Sequence, residues 1–418
     1  MLSRSICTLI TATLIPLTTS HWATADDWPT WRGPRRDNIC RETGLLDEWP
    51  EGGPPLKWRT NLCGVGYSAP SAVGETVYVM GNGNGREWVI ALNRATGGTQ
   101  RWASATGPIR HKGGGYPGPR STPTIDGDRV YALGLAGVLV CLNAKDGEVV
   151  WYKDLVADFG GEPPHWGYAE SVLVDAKYVL CTPGGRENTV VCLNKMTGEK
   201  VWGAAVGDGA AYASLIKAKL SKVPQYVALT AKGVIGVRAQ DGEPLWRYNA
   251  PANKQGINVA TPVWYKDTIF AASNRTGGGL VWVRRTPMGL KPQQLYFTRK
   301  MQNHHGGMVL ANEFLYGASS PGGLTCLNYR TGQVAWAERK PGKCSVLYAD
   351  GHIYCRGENG PISLVQANPK SFVLHGRFNQ PYRSRAKAWP PPVIADGELL
   401  IRDQHVLLAY DLRQRRSR

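Results

Sequence analysis

The adjacent pair His304-His305, in the run Asn303-His-His-Gly-Gly307, is the part of this chain best suited to proton transfer or metal ligation. Imidazole changes charge near neutral pH and is a common metal ligand. Neighbouring residues on a strand face opposite sides, so only one of the two can enter a shared site from extended backbone. The competing reading is a hydrogen-bonded structural histidine. Other reactive chemistry is sparse: there is no zinc-type cysteine spacing, no haem-attachment C-x-x-C-H and no vicinal cysteine pair. Among the cysteines, Cys181/Cys192 and Cys344/Cys355 each flank a short loop between strand-like runs. Each pair could be a cross-strand disulfide or two small buried hydrophobes.

A repeat sets the elements that must position these groups. Ala91-Leu-Asn-Arg-Ala-Thr-Gly97 with Trp102 recurs as Cys141-Leu-Asn-Ala-Lys-Asp-Gly-Glu-Val-Val-Trp151. Further copies are Cys192-Leu-Asn-Lys-Met-Thr-Gly-Glu-Lys-Val-Trp202, Gly236-Val-Arg-Ala-Gln-Asp-Gly-Glu-Pro-Leu-Trp246 and Cys326-Leu-Asn-Tyr-Arg-Thr-Gly-Gln-Val-Ala-Trp336. The tryptophans lie 49, 51, 44 and 90 residues apart, the last interval being two periods with a degenerate copy between them. Each copy reads as strand, tight turn and strand, preceded by a second hairpin such as Ser121-Thr-Pro-Thr-Ile-Asp-Gly-Asp-Arg-Val-Tyr-Ala132. Four strands per period of about 45 residues predict a β-propeller blade. Inner hairpins at 68–80, 121–133, 170–182, 211–230, 259–272, 306–317, 344–356 and 391–402 give eight blades. The eighth lacks an outer Trp-bearing strand, which Pro55-Leu-Lys-Trp58-Arg-Thr60 is expected to supply, closing the ring and removing two open sheet edges.

Composition agrees with a large folded chain: 418 residues, 42% hydrophobic, with 15 Trp and 18 Tyr, exclude global disorder. The net charge of +17 raises a nucleic-acid reading, but no basic helix or RNA-binding aromatic motif accompanies it. The only dense run is Arg413, Arg415, Arg416 and Arg418, a solvated tail. The charge instead favours an acidic small molecule or an anionic envelope polymer. At the other end, Arg4, the apolar run Ile6–Leu17 and Ala23-Thr24-Ala25 read as a secretory signal peptide cleaved before Asp26. Loss of Arg4 would lower the charge only to +16. No later segment is long and apolar enough for a transmembrane helix.

The repeated phrase resembles the tryptophan-docking motif A-x-D-x-x-T-G-x-x-x-W of the pyrroloquinoline-quinone-like propeller family, over roughly residues 55–413. The motif Asp is Asn in four copies and Arg238 in the fourth, and Gly98 adds a residue to the first. Asp27-Trp-Pro-Thr-Trp31-Arg-Gly-Pro34, Gly66-Tyr-Ser-Ala-Pro70, Asn303–Gly307 and Ile401-Arg-Asp-Gln404 resemble a bacterial subfamily of exported single propellers. The resemblance implies one of two classes: a quinone- and calcium-dependent dehydrogenase, or a non-catalytic scaffold like the outer-membrane assembly lipoprotein. Fold alone does not choose between them.

A quinone site would need a stacking plane, basic groups, hard oxygens for calcium and a carboxylate base. Such groups belong where innermost strands begin, around the axis. Those positions hold Tyr67, Arg120, Tyr168, Tyr212, His304, His305, Lys343 and Trp389, with Glu170 the one carboxylate. Of these, Tyr67, Arg120, Tyr168, His304, His305, Lys343 and Trp389 are the candidate ligand contacts. Glu170 and Asn258 resemble the calcium-holding carboxylate and amide of quinoproteins. Asp126, Asp128, Asp175, Asp267, Asp350 and Asp396 fall in turns on the opposite face, leaving no clear aspartate base.

The expectation is therefore an all-β, eight-bladed propeller: signal peptide 1–25, a Trp/Pro-rich arm 26–54 packed over the outside of the ring, propeller 55–413 and basic tail 414–418. Its expected role is a monomeric, exported, periplasmic or secreted binding or scaffold module that needs no cofactor. It would engage an envelope protein, or an anionic small molecule or polysaccharide, and no nucleic acid. The alternative is a pyrroloquinoline-quinone- and calcium-dependent alcohol or sugar dehydrogenase.

Overall fold

The computed structural model describes residues 27–111 and 113–414, so the expected signal peptide (1–25) and Arg415, Arg416 and Arg418 lie outside the described residues. The described strands form eight four-stranded antiparallel sheets. Seven are built in chain order from 71–108, 124–154, 173–204, 216–248, 263–298, 308–338 and 344–379. The eighth takes Val393–Ala395, Glu398–Asp403 and Val406–Asp411, and its outer strand is Leu56–Thr60 from the other end of the chain. This is the eight-bladed propeller, closed as the sequence predicts. The α-helix of the described residues is the single turn Leu155–Phe159, capped by Asp154 and by left-handed Gly160, and no described helix is long and apolar enough to cross a membrane.

The hydrophobic core lies between neighbouring blades, because each sheet buries both faces against the next. Val79 and Ile90 of blade 1 share one cluster with Leu400 and Leu408 of blade 8, and Cys192 of blade 3 joins Tyr226 of blade 4 in another. Three of the repeated tryptophans hydrogen-bond to the following blade. Trp102 Nε1 donates to Ala144 O at 3.0 Å, Trp151 to Lys195 O at 3.0 Å and Trp336 to Asn368 O at 2.8 Å, each on the following blade. The indole also covers that blade's turn glycine: a Cβ on Gly147, whose φ is +79°, would sit 2.5 Å from a Trp102 ring carbon. The degenerate copy is blade 5. There Tyr296 covers Gly332 and donates its hydroxyl to Tyr329 O at 2.8 Å, doing with a phenol what Trp102 and Trp151 do with an indole.

Closure is covalently remote and physically dense. Leu56–Thr60 pairs antiparallel with Val406–Asp411, and Trp58 covers Gly98 of blade 1. Beneath it, fully buried Arg402 donates to Ser68 O (2.8 Å), Met80 O (2.6 Å), Cys63 O (3.0 Å) and Gln404 O (2.9 Å). Gln404 Oε1 in turn accepts from Gly66 N at 3.2 Å. The Ile401–Gln404 and Gly66–Pro70 stretches, which the repeat does not explain, are thus the stitching between blades 8 and 1.

The N-terminal arm corrects one expectation: its Trp28–Asn38 part runs inside the ring, not over its outside, and only further on does the chain reach an outer strand, where Trp49 N donates to His375 O of blade 7. Trp28 exchanges two backbone hydrogen bonds with Ala72 of blade 1, and Pro29 O accepts from Ile125 N of blade 2. At the tip, Trp31 Nε1 donates to Thr261 Oγ1 at 3.1 Å, and Arg32 reaches Thr261 O (3.3 Å) and Met308 O (2.5 Å) beside blades 5 and 6. Arg36 donates to Ser171 O (2.7 Å) and Val172 O (3.0 Å) at blade 3, and Asn38 to Val346 O on blade 7. The chain then leaves past Tyr348 and Asp350. The physical reason is the inner rim itself: innermost strands leave carbonyls facing the axis, buried carbonyls need donors, and a guanidinium carries five N–H groups. Burial lowers both arginines from their ordinary value, Arg32 to about 10 and Arg36 to about 9, so both stay charged at neutral pH.

All eight described cysteines are buried free thiols. Cys181 stands opposite Val191 and Cys192 opposite Leu180, one row apart, so the two side chains face opposite sides of the sheet and cannot bridge. Cys344 pairs with Gly357 and Cys355 with Val346, two rows apart on one face, where both join the same apolar cluster.

Candidate functional site

Above the arm's tip, the connections that lead into the innermost strands enclose an axial cavity of about 490 Å³. Tyr67, Tyr116 and Trp389 form one aromatic group on it, with ring centroids 4.9 Å (Tyr67–Trp389), 4.7 Å (Tyr116–Trp389) and 6.5 Å (Tyr67–Tyr116) apart. Trp166 and Tyr212 form a second, 5.8 Å apart, and Trp31 contributes a sixth ring from the arm. Arg120 ties the two groups together. It donates to Trp166 O (2.6 Å) and Tyr116 O (2.8 Å), and its guanidinium lies 5.9 Å from the Tyr67 ring centre. The polar remainder includes Gln255, Asn274 and Arg275, whose side chains have no hydrogen-bond or ion-pair partner among the described residues.

Five of the seven candidate contacts meet here: Tyr67, Arg120, His304, His305 and Trp389 all line the cavity. Tyr168 does not. It is buried under blade 3, with its hydroxyl donating to Pro183 O at 2.8 Å. Lys343 stands behind the wall, its Nζ 3.3 Å from Glu358 Oε1. Sequence reasoning that looked only at the starts of innermost strands overlooked a second set of loops. The turns between second and third strands of a blade lie on the same face, and they deliver Asn274 and Arg275 from blade 5 and Glu358 from blade 7. Trp166 and Tyr116 come from the connections before blades 3 and 2, and their signal was aromatic residues in Gly/Pro-rich linkers.

Glu358 organises one wall. Its Oε1 accepts from Trp389 Nε1 at 2.8 Å and lies 3.3 Å from His305 Nε2, with Lys343 and Lys387 also in reach. The hydrogen bond from His305, then those from Trp389 and the lysine charge, hold its carboxyl well below the usual carboxylate range. Burial lowers His305, and its buried Nδ1 has no partner among the described residues. His304 is lowered to about 4, first by burial and then by the Lys343 charge. No Asp or Glu lines the cavity among the described residues.

The two calcium candidates lie off the cavity, each bound into the scaffold. Glu170 is buried and both its oxygens accept from Thr182, one from the backbone N–H and the other from Oγ1 at 2.9 Å. Burial raises its carboxyl to about 7, against the opposing pull of Thr182 and of the Arg36 charge. Asn258 Oδ1 accepts from Asn253 N at 2.7 Å while its amide donates to Thr230 O at 2.7 Å. No group of three His, Cys, Asp or Glu side chains able to hold a metal occurs among the described residues. As placed, this donor set does not fit the six to eight oxygen ligands that calcium takes.

A family model described as outer membrane protein assembly factor BamB matches residues 85–338. The protein of that name from Burkholderia pseudomallei is 24% identical over 260 residues, which is 60% of this chain and 62% of that protein, so the match spans less than two thirds of the relative. The Salmonella typhimurium protein of the same name is 23% identical over 312 residues, covering 69% of this chain and 72% of that one. Among solved structures, BamB from Moraxella catarrhalis aligns with a TM-score of 0.58 at 14% identity, over 84% of this chain and 96% of that chain. A europium-containing methanol dehydrogenase aligns with a TM-score of 0.66 at 12% identity, over 92% of this chain and 89% of that chain. At such identities both structures speak for the fold alone.

Proposed function

The chain belongs to the family of the outer membrane protein assembly factor BamB, and from that premise we propose that it is a non-catalytic binding or scaffold module of the cell envelope whose ligand site is the axial cavity. The observation that carries this reading is the cavity's inventory: six Tyr and Trp rings, two histidines lowered by burial, neutral amides and arginines, with no carboxylate among the described lining residues. Such a wall offers contact area and hydrogen bonds, but no group suited to taking a proton from an alcohol. A general base works best with a pKa near the operating pH, and His304 at about 4 is a weak one. Export to the envelope, expected from the first 25 residues, belongs to the same proposal.

The dehydrogenase reading is the one to test against it. Purified protein supplied with pyrroloquinoline quinone and calcium, then assayed for dye-linked oxidation of primary alcohols and aldoses, should give no turnover above a protein-free blank. Turnover that disappears in Glu170→Gln would overturn the binding-module reading.

A further inference from the structure

Resting on that reading, we propose that the axial cavity binds an acidic glycan, with sugar rings laid on its aromatic groups and a ring carboxylate taken by Arg275. Three independent features of the cavity point to this class. The first is the arrangement of rings. The Tyr67/Tyr116/Trp389 and Trp166/Tyr212 groups are two separate platforms joined by Arg120. Two platforms suit a ligand with successive flat, C–H-rich faces better than a single compact ring. A volume of about 490 Å³ lies within the range of roughly 300–1,000 Å³ usual for small-molecule sites.

The second feature is unspent hydrogen-bonding capacity beside apolar walls. The side-chain amides of Gln255 and Asn274 are uncommitted, and each offers both donor and acceptor. A mixed donor and acceptor set over aromatic faces is what a polyhydroxylated ring requires.

The third feature is charge. Arg120 and Arg275 line the cavity, and Lys343 and Lys387 stand behind it sharing the single carboxylate of Glu358. Arg120 is already bound to carbonyls. Arg275 is exposed and pairs with no carboxylate among the described residues, so it is free to meet one on a ligand. An arginine and a carboxylate can form two parallel hydrogen bonds, which gives orientation as well as attraction.

Isothermal titration of the full chain with tetragalacturonate, a hyaluronan tetrasaccharide and the methyl ester of tetragalacturonate separates the contributions. At least one acid oligosaccharide should bind, and for tetragalacturonate the ester should bind at least fivefold more weakly than the acid. Tyr116→Ala, a change at a side chain that is 38% exposed, should weaken acid and ester alike by about tenfold. Arg275→Ala should weaken only the acid, bringing it level with the ester. Lack of binding by both acid oligosaccharides overturns the inference. So does an ester that binds as well as its acid, or affinities unchanged in both variants, which would mean adhesion elsewhere on a basic surface. If the glycans fail and the quinone assay is also silent, the glycan assignment falls alone; if quinone turnover appears, the binding-module reading falls with it.

Discussion

Arginine is the residue whose meaning changes most between sequence and structure. Arg32, Arg36, Arg356 and Arg402 are all buried, so part of the charge that first suggests an anionic partner is spent inside the ring. Their burial is not equivalent. Arg402 is satisfied by carbonyls from both ends of the chain, and removing it leaves several buried acceptors without donors; Arg402→Met should cost on the order of 3–5 kcal/mol in denaturant-induced unfolding. Arg356 has no hydrogen-bond acceptor for any of its three nitrogens among the described residues, while its neighbour Asp403 is bound by Arg383, Gln380 and Ser384. Arg356→Met should therefore unfold within about 1 kcal/mol of the wild type, or above it, since apolar replacement of a poorly paired buried charge is often neutral or stabilising. Glu170 supplies a pH signature. Its folded value of about 7 lies above the ordinary 4.5, so the folded state holds the proton more tightly, and stability is fully present below pH 4.5 and falls as pH rises through 7. Glu170→Gln removes that titration. The stability of the variant relative to wild type should rise by on the order of 3 kcal/mol between pH 4 and pH 8, as read by urea unfolding at each pH. A constant difference would mean that the carboxylate is not desolvated.

At the scale of the element, the turn glycine and the indole above it are one device. Gly147→Ala meets a φ of +79° and a Trp102 ring carbon 2.5 Å from the new Cβ, so it should destabilise by roughly 2–4 kcal/mol. Gly74→Ala, with φ +52° and no atom within 4 Å, should cost only about 1 kcal/mol. Equal losses in thermal unfolding would show that backbone strain alone sets the requirement. This device is why the blades could be read from sequence: Asn-x-x-Thr/Asp-Gly followed by Trp is a local solution to a local problem, repeated in place. Blade 5 escaped the pattern because Tyr296 reaches the same carbonyl position with a hydroxyl. The site was less readable for the opposite reason. Arg275 and Glu358 sit in turns that carry no repeat signature, and Tyr168 sits at an innermost strand's start yet turns into the core. Position along a strand says which face of the ring a residue is near, not whether its side chain points to the axis or to the neighbouring blade.

For the molecule as a whole, two segments outside the repeat decide what the ring can do. The arm was readable as aromatic and proline-rich, but its place was not, because nothing local in Trp31-Arg-Gly-Pro-Arg-Arg36 states that its donors are matched to carbonyls on blades 3, 5 and 6. That matching is a property of the closed ring and exists only after closure. With its tip filled by buried arginines, the arm leaves the cavity closed on one side, with Trp31 among its lining residues. Closure in turn depends on Leu56–Thr60, whose absence would strip Trp58 from Gly98 and expose the outer edge of Val406–Asp411. Deleting 55–60 removes contacts between the most distant parts of the chain, and the hydrophobic cluster that joins blades 8 and 1 also holds Trp28, Cys40 and Trp49 of the arm. Loss should therefore spread from the closing blade to the plug. The deletion variant should show no cooperative melting transition and should bind a hydrophobic dye at ambient temperature. A sharp transition within a few degrees of the wild type would mean that seven blades and the arm hold the ring without the eighth blade's outer strand.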